Sequence, residues 1–173
     1  MARRVRRLFR GGRVIDIAGG HGALGPVMLI LDDSSPDVVV VDKSVPPSSA
    51  LLHDALVQGW PRLAGRVAFS TTAIAEIELV PSDLVVSCHA CGALTDAVLD
   101  RAVAARARVA VLPCCHDRVS CDPGRIGGWV DDPLAIDIMR AVGLERRGYR
   151  VWTQSIPVAI TPKNRLLIAE PAD

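Results

Sequence analysis

The chain has 173 residues and a formal net charge of +1, and half of its residues are hydrophobic although only six are aromatic. This length is sufficient for one domain with an aliphatic core, without disulfides or a structural metal. The net charge gives no argument for a polyanion partner. No apolar stretch approaches the roughly 20 residues of a membrane span. The basic N-terminus also lacks the apolar region of a signal peptide, so we expect a cytoplasmic protein.

The chain begins with a basic segment, residues 1–12, ahead of a predicted single domain at 13–173. Six arginines lie in the first thirteen residues: Arg3, Arg4, Arg6, Arg7, Arg10 and Arg13. Two interpretations are open. The segment is either solvated and partly frayed, or it is a basic arm that binds RNA or another phosphate-bearing substrate.

The rest of the chain alternates between predicted strands and predicted helices. The strands are predicted at 13–17, 38–41, 66–70, 84–87, 109–112, 149–156 and 165–169. The helices are predicted at 23–31, 48–58, 94–105 and 132–142, with the last helix ending at Gly143. This alternation predicts an α/β fold with a doubly wound, mostly parallel sheet, in which the last two strands form a hairpin.

A glycine-dense turn follows the first strand, and an acidic residue follows the second. Residues 14–25 read VIDIAGGHGALG, and the run Val38–Val41 is followed by Asp42. Glycines let the backbone turn sharply and let a ligand approach it closely, so this pair of features predicts a nucleotide-binding half-fold. The spacing of Gly20, Gly22 and Gly25 also fits a dinucleotide fingerprint. A tight turn without a ligand is the remaining alternative.

The position of Asp16 ahead of the turn resembles the S-adenosylmethionine (SAM) signature of class I methyltransferases. The resemblance implies SAM as the cofactor and a Rossmann-like fold whose last strand is inserted antiparallel. Asp16 would orient the turn and the methionine moiety, and Asp42 would accept hydrogen bonds from both ribose hydroxyls. The cofactor-binding residues expected from it are Asp16, Gly19, Gly20, Gly22, Asp42 and Cys88.

Two cysteine- and histidine-rich segments follow the fourth and fifth predicted strands. Residues 87–96 read SCHACGALTD, residues 112–116 read LPCCH, and residues 160–165 read ITPKNR. Together they resemble one methyltransferase subfamily, which includes the acceptor-stem tRNA 2′-O-methyltransferases of eukaryotes and related methyltransferase-like proteins. The resemblance covers residues 13–170, but this chain has no zinc-finger appendage or separate RNA-binding domain of the kind found in the RNA-modifying members.

Three roles are open for these segments. An imidazole could act as a general base, the thiols could bind zinc with the Cys88-x-x-Cys91 spacing, or the thiols could simply pack. The sequence assigns no metal ligands. The catalytic assignments are His89 and His116. The residues assigned to substrate binding are Cys91, Cys114, Cys115, Lys163 and Asn164.

The function expected from the sequence is SAM-dependent transfer of a methyl group to a hydroxyl or nitrogen nucleophile. The resemblance favours RNA, and tRNA in particular, as the substrate. A small-molecule methyltransferase and a noncatalytic binding subunit with a methyltransferase fold are the two alternatives.

Overall fold

Seven strands form one mixed sheet in the computed structural model, which describes residues 1–172. The strand order across the sheet is β3-β2-β1-β4-β5-β7-β6. The strands are β1 Val14–Ile17, β2 Val38–Val41, β3 Val67–Ser70, β4 Leu84–Ser87, β5 Arg108–Val111, β6 Tyr149–Ser155 and β7 Arg165–Pro171.

The first five strands are parallel, and β7 is inserted antiparallel between β5 and β6. Strands β1 and β4, at the centre, are buried along their full length. Their short aliphatic runs fit this position because a parallel sheet is covered on both faces. The prediction of a doubly wound, mostly parallel sheet with an antiparallel last strand is confirmed.

Five α-helices cover the two faces of the sheet. Two of them, α4 and α5, contribute Leu99 and Leu144 to the core on one face. On the other face, α1 and α2 contribute Val5 and Met28, and α3 packs beside them through Leu56. The helices are α1 Ala2–Leu8, α2 Leu24–Leu31, α3 Ser48–Gly59, α4 Ala93–Ala104 and α5 Asp132–Arg146.

Two local expectations are wrong. The leading basic segment is not solvated and frayed, because residues 2–8 are helical and Val5 and Phe9 are buried in the core. Helix α5 does not end at Gly143 but continues to Arg146, because packing of Leu144 in the core favours the longer helix. Within residues 1–172, no helix is both long and apolar enough to cross a membrane.

Six of the strands end at the same edge of the sheet, and the seventh begins there. Strands β1 to β5 end there, and because β7 runs antiparallel, it begins at the same edge where β6 ends. In open α/β sheets, ligands bind outside the carboxyl ends of the parallel strands. The glycine turn and both cysteine- and histidine-rich segments follow strands at this edge, so the candidate site lies here.

Candidate active site

A cavity of about 460 Å³ opens where β1, β2 and β4 end. Its floor and walls combine apolar side chains, such as Val41 and Leu94, with the carboxylate of Asp42. His89, which is exposed, also contributes to the lining. The full lining is Ala18, Gly20, Val41, Asp42, Lys43, Thr72, Ala73, Ile74, His89 and Leu94.

The glycine turn shapes this cavity in two ways. At Gly22, whose φ is +76°, an added Cβ would lie 2.7 Å from the ring of Phe69, so the turn packs tightly onto the sheet. At Gly20, whose φ is +54°, an added Cβ would meet no atom within 4 Å. Because Gly20 lines the cavity, this open space belongs to the cavity itself, and a ligand can approach the backbone there.

Asp16 lies behind the turn and holds it in place. Its side chain is 1% exposed, and its Oδ2 accepts a hydrogen bond of 2.9 Å from the backbone N–H of Gly25. Burial raises the pKa of Asp16 to about 7, although the Gly25 bond pulls it down, and the nearby charge of Asp42 raises it further. Asp16 therefore orients the turn from beneath and is not part of the cavity lining.

Asp42 faces the cavity from the end of β2. Its Oδ2 accepts a hydrogen bond of 2.8 Å from the backbone N–H of Gly20, which fixes the carboxylate against the turn. A carboxylate with two oxygens has acceptor sites left after one such bond. The other expected cofactor residues lie outside the lining: an added Cβ at Gly19 would meet Val40 at 2.6 Å, and the Cys88 thiol contacts the Met1 sulfur at 3.0 Å.

These features fit an adenosine-containing cofactor. The cavity offers apolar surface for a base, a carboxylate for ribose hydroxyls, and a glycine whose missing Cβ leaves room beside the backbone. The residues positioned to hold such a group are Gly20 and Asp42, with Val41 and Leu94 as apolar walls.

A second cavity, of about 360 Å³, lies between α5 and the β6–β7 hairpin. Pro113, which follows β5, and Arg165, at the start of β7, place it at the same edge of the sheet. Most of its lining is apolar, with Asp137 as its acidic group. The lining is Pro113, Leu134, Asp137, Ile138, Ala141, Val142, Thr153, Gln154, Ser155, Arg165, Leu166 and Leu167.

Asp137 lines this second cavity and also contacts His116. Its Oδ1 lies 2.8 Å from His116 Nε2, and its Oδ2 accepts a hydrogen bond of 2.6 Å from Arg165. The His116 side chain is 3% exposed, and its Nδ1 is buried without a hydrogen-bond partner in residues 1–172. If Nε2–H donates to Asp137, then Nδ1 carries a free lone pair and can accept a proton.

Arg140 ties this network to α4. Its side chain is 3% exposed and binds Asp96 through two hydrogen bonds of 2.7 and 2.9 Å. It also donates to the carbonyl oxygen of Gly92 at 2.9 Å and lies 3.3 Å from Asp137. Burial alone would lower the pKa of Arg140, but the Asp96 bonds raise it above its ordinary value.

The cysteines of the two segments meet at the exposed edge. The Sγ atoms of Cys91 and Cys114 are 2.9 Å apart, and those of Cys114 and Cys115 are 3.8 Å apart. Contact with Cys114, together with burial, raises the pKa of Cys91 to about 12. Burial and the charge of Asp16 raise the pKa of Cys88 to about 11. These two thiols are therefore protonated at neutral pH.

Lys163 and Asn164 lie in the loop between β6 and β7. The Asn164 side chain donates to the carbonyl oxygen of Ile156 at 2.9 Å, and its backbone carbonyl accepts from the N–H of Ile156 at 2.8 Å, so it closes the hairpin. Lys163 is exposed. Neither residue lines the two cavities. Of the residues predicted from sequence, only Gly20, Asp42 and His89 come together in one cavity.

The sequence reasoning missed the residues that surround His116. An Asp137–Arg140 pair was foreseeable from the spacing of three on one helix, but the role of Asp137 beside His116 was not. Arg165 follows the Thr161–Asn164 turn directly and was not singled out. Asp137, Arg140 and Arg165 stand among other charged residues of α5 and β7, so the sequence alone does not distinguish them.

Residues 3–122, well over half of the chain, match the family model described as a methyltransferase domain. This chain belongs to that family. S-adenosylmethionine is the cofactor of this methyltransferase domain. No curated protein sequence matches the chain.

Solved methyltransferases share the fold of this domain. An O-methyltransferase family protein from Burkholderia thailandensis is 18% identical with a TM-score of 0.59, and the match covers 94% of this chain and 51% of that protein. An O-methyltransferase of neocarzinostatin biosynthesis, solved with SAM, is 19% identical with a TM-score of 0.56, covering 94% and 49%. A candidate rRNA methylase from Clostridium thermocellum is 12% identical with a TM-score of 0.66, covering 99% and 93%. The chain thus spans about half the length of these O-methyltransferases.

Proposed function

We propose that the protein transfers the methyl group of SAM to a hydroxyl or nitrogen nucleophile. The observation that carries this proposal is the presence of two cavities at one edge of the sheet. One of them is shaped by Gly20 and Asp42, and the other is lined by Asp137, whose carboxylate contacts the imidazole of His116 behind the cavity wall. When bound, SAM supplies a methyl group on a positively charged sulfur, and the substrate atom receives this group.

In this proposal, Gly20 and Asp42 hold the cofactor. The cavity has no Cβ at Gly20, so the backbone is open to the ligand, and Asp42 accepts hydrogen bonds from ribose hydroxyls. Alignment of the two reactants in a closed site supplies most of the rate in such a reaction. We therefore expect Asp42→Ala to weaken SAM binding and to leave turnover at saturating SAM nearly unchanged.

His116 is the general base of the proposal, and Asp137 positions it. A carboxylate on Nε2 favours the tautomer in which Nδ1 carries the free lone pair, and because Nδ1 is buried, the proposal requires that the chain around it opens to admit the substrate hydroxyl or amine. His89 lines the cofactor cavity and is the alternative base. Turnover of His116→Ala and His89→Ala at saturating SAM separates the two, since removal of the base lowers turnover and leaves SAM affinity unchanged.

An RNA hydroxyl, on tRNA in particular, is the first substrate class. Arg3 and Arg7 are exposed on one face of α1, and the Arg10 side chain is 76% exposed. Helix α1 begins beside the site, because the Met1 sulfur contacts the thiol of Cys88. The other arginines near the N-terminus are engaged elsewhere: Arg4 donates to Gln154, Arg6 pairs with Asp32, and Arg13 pairs with Asp83. Arg10 also reaches Asp32, at 3.5 Å.

A small molecule is the second substrate class. The cavity beside Asp137 has about 360 Å³ and a mainly apolar lining, which is within the range of small-molecule pockets. The structural neighbours named as O-methyltransferases accord with this class, and the candidate rRNA methylase accords with the first.

Binding of tRNA over a range of salt concentrations tests the substrate class. If α1 binds phosphates, affinity falls steeply with salt, and Arg3→Gln with Arg7→Gln lowers the salt slope by about 2, roughly one unit for each lost contact. Arg146→Gln, at the far end of α5, is the matched control and leaves the slope unchanged. If tRNA does not bind even at low salt, the RNA class is wrong, and methyl transfer is then screened on small hydroxyl and amine compounds.

A further inference from the structure

Three cysteine thiols form a cluster at the exposed edge of the sheet. Cys91 follows β4, whereas Cys114 and Cys115 follow β5, and their Sγ atoms all lie within 4.8 Å of one another. Free cysteines that serve only to pack are usually buried, as Cys121 is here at 6% exposed. Cys91 and Cys115 are instead exposed, so packing does not account for this cluster.

The two loops that carry the thiols are tied together by the backbone. The N–H of Gly92 donates a hydrogen bond of 3.1 Å to the carbonyl oxygen of Cys115. Gly92 itself has a φ of +57°, a conformation that side chains rarely adopt, so the loop turns back at this residue. This bond keeps Cys91 beside Cys114 and Cys115 without any contribution from the thiols themselves.

The sulfur spacing approaches that of a tetrahedral metal site. Zinc–sulfur bonds of about 2.3 Å place neighbouring sulfurs about 3.8 Å apart. The Sγ atoms of Cys114 and Cys115 are 3.8 Å apart, although these residues are adjacent in the chain. The Sγ atoms of Cys91 and Cys114 are 2.9 Å apart, so Cys91 must move outward by about 1 Å, which an exposed side chain can do.

We propose that Cys91, Cys114 and Cys115 bind one zinc ion, with a water molecule as the fourth ligand. Thiolate ligands favour zinc over harder cations such as magnesium and calcium. Within the described residues, the cluster contains no imidazole or carboxylate, so the protein supplies three ligands and one position stays open to solvent. This inference does not rest on methyl transfer, because metal binding is measured without SAM or substrate.

Cobalt(II) titration of the reduced 173-residue chain tests the proposal, with Co²⁺ as the spectroscopic substitute for Zn²⁺. We expect one Co²⁺ per chain, thiolate-to-cobalt charge-transfer absorption, the strong visible bands of tetrahedral cobalt, and loss of these bands when Zn²⁺ is added. Cys91→Ser and Cys115→Ser should each weaken Co²⁺ binding by roughly 100-fold or more. Cys121→Ser is the matched control and should bind Co²⁺ as the unaltered chain does.

Circular dichroism of each variant establishes that it is folded. The proposal is overturned if the folded, reduced chain gives no charge-transfer absorption, or if Cys91→Ser and Cys115→Ser both keep the absorption and the affinity. A chain that binds Co²⁺ but not SAM would contradict the proposed function and leave this site standing. A chain that binds SAM but not Co²⁺ would do the reverse.

Discussion

The two halves of the functional edge are built differently. Around the glycine turn, the site depends on backbone: Gly20 leaves open space, and backbone N–H groups bind Asp16 and Asp42. Around α5, the site depends on side chains, because Asp137 joins His116 and Arg165, and Arg140 joins α5 to Asp96. The bonds of the first half join residues that lie in or after two neighbouring strands, 9 and 22 positions apart, and those of the second half join residues of a helix to other elements, 21 to 44 positions apart.

This difference shows how the two halves should respond to mutation. In the first half, a substitution changes either the open space beside Gly20 or the charge of the buried Asp16 carboxylate. In the second half, a change breaks a charge network and leaves a partner unpaired, which is costly in a poorly solvated place.

The largest expected effect comes from the carboxylate of Asp16. Its folded-state pKa of about 7 is above that of the unfolded chain, so the stability it contributes is fully present near pH 4 and is lost as pH rises through 7. The side chain introduced by Asp16→Asn cannot ionise, so the variant does not lose stability in this way. As the pH rises from 4 to above 7, we expect the unfolding free energy of the variant to increase by about 4 kcal/mol relative to that of the unaltered chain. Urea denaturation at several pH values measures the unfolding free energy of both chains. A difference that stays the same at every pH would show that Asp16 does not titrate in this way.

The next effect tests the side-chain network. Arg140→Ala removes two bonds to Asp96 and one to the Gly92 carbonyl from a buried position, so we expect a loss of about 3 kcal/mol in unfolding free energy. Arg147→Ala breaks the exposed ion pair with Asp100 and is the matched control, with an expected loss below about 1 kcal/mol. Equal losses in the two variants would remove the contrast between the two halves.

A third effect concerns the open space at Gly20. Gly20→Val adds a side chain whose Cβ meets no protein atom within 4 Å, at the cost of backbone strain from the positive φ. We expect it to weaken SAM binding by about 100-fold or more, since the ligand loses its approach to the backbone. Gly65→Val is a matched control, because Gly65 also has positive φ and open space but lies outside this cavity. Calorimetric titration with SAM compares the two, and equal affinities would place the cofactor elsewhere.

The smallest effect concerns Asp137 as a positioning residue. Asp137→Asn keeps the shape of the side chain but removes the charge beside His116, so we expect turnover to fall by about 10- to 100-fold with SAM affinity unchanged. Asp100→Asn, on the surface, should change neither quantity. A fall in SAM affinity would show that Asp137 serves the cofactor site instead.

The sequence predicted the fold because the fold is specified locally. The aliphatic runs at Val38–Val41 and Leu84–Ser87 have the composition of strands buried on both faces, and the structure has strands at these residues. Helix α1 was missed because its arginines suggested a solvated segment. Val5 and Phe9, four residues apart and both buried, were the signal for a helix face that packs on the core.

The candidate site was predictable only where it depends on residues that directly follow strands. The glycine turn and Asp42 could be placed because both follow strands at one edge. The pairing of His116 with Asp137 depends on how α5 packs against the sheet, and that of Arg140 with Asp96 depends on the packing of α4 and α5. No local pattern encodes these contacts, since propensity and periodicity describe single elements and not the distances between them.

Isothermal titration of the cofactor-free protein with SAM, and separately with S-adenosylhomocysteine, measures directly whether the cavity at Gly20 and Asp42 holds the cofactor. We expect one-to-one binding at micromolar concentrations for both, with weaker binding in Asp42→Ala. If the folded protein binds neither compound, the cavity at Gly20 and Asp42 is not a SAM site.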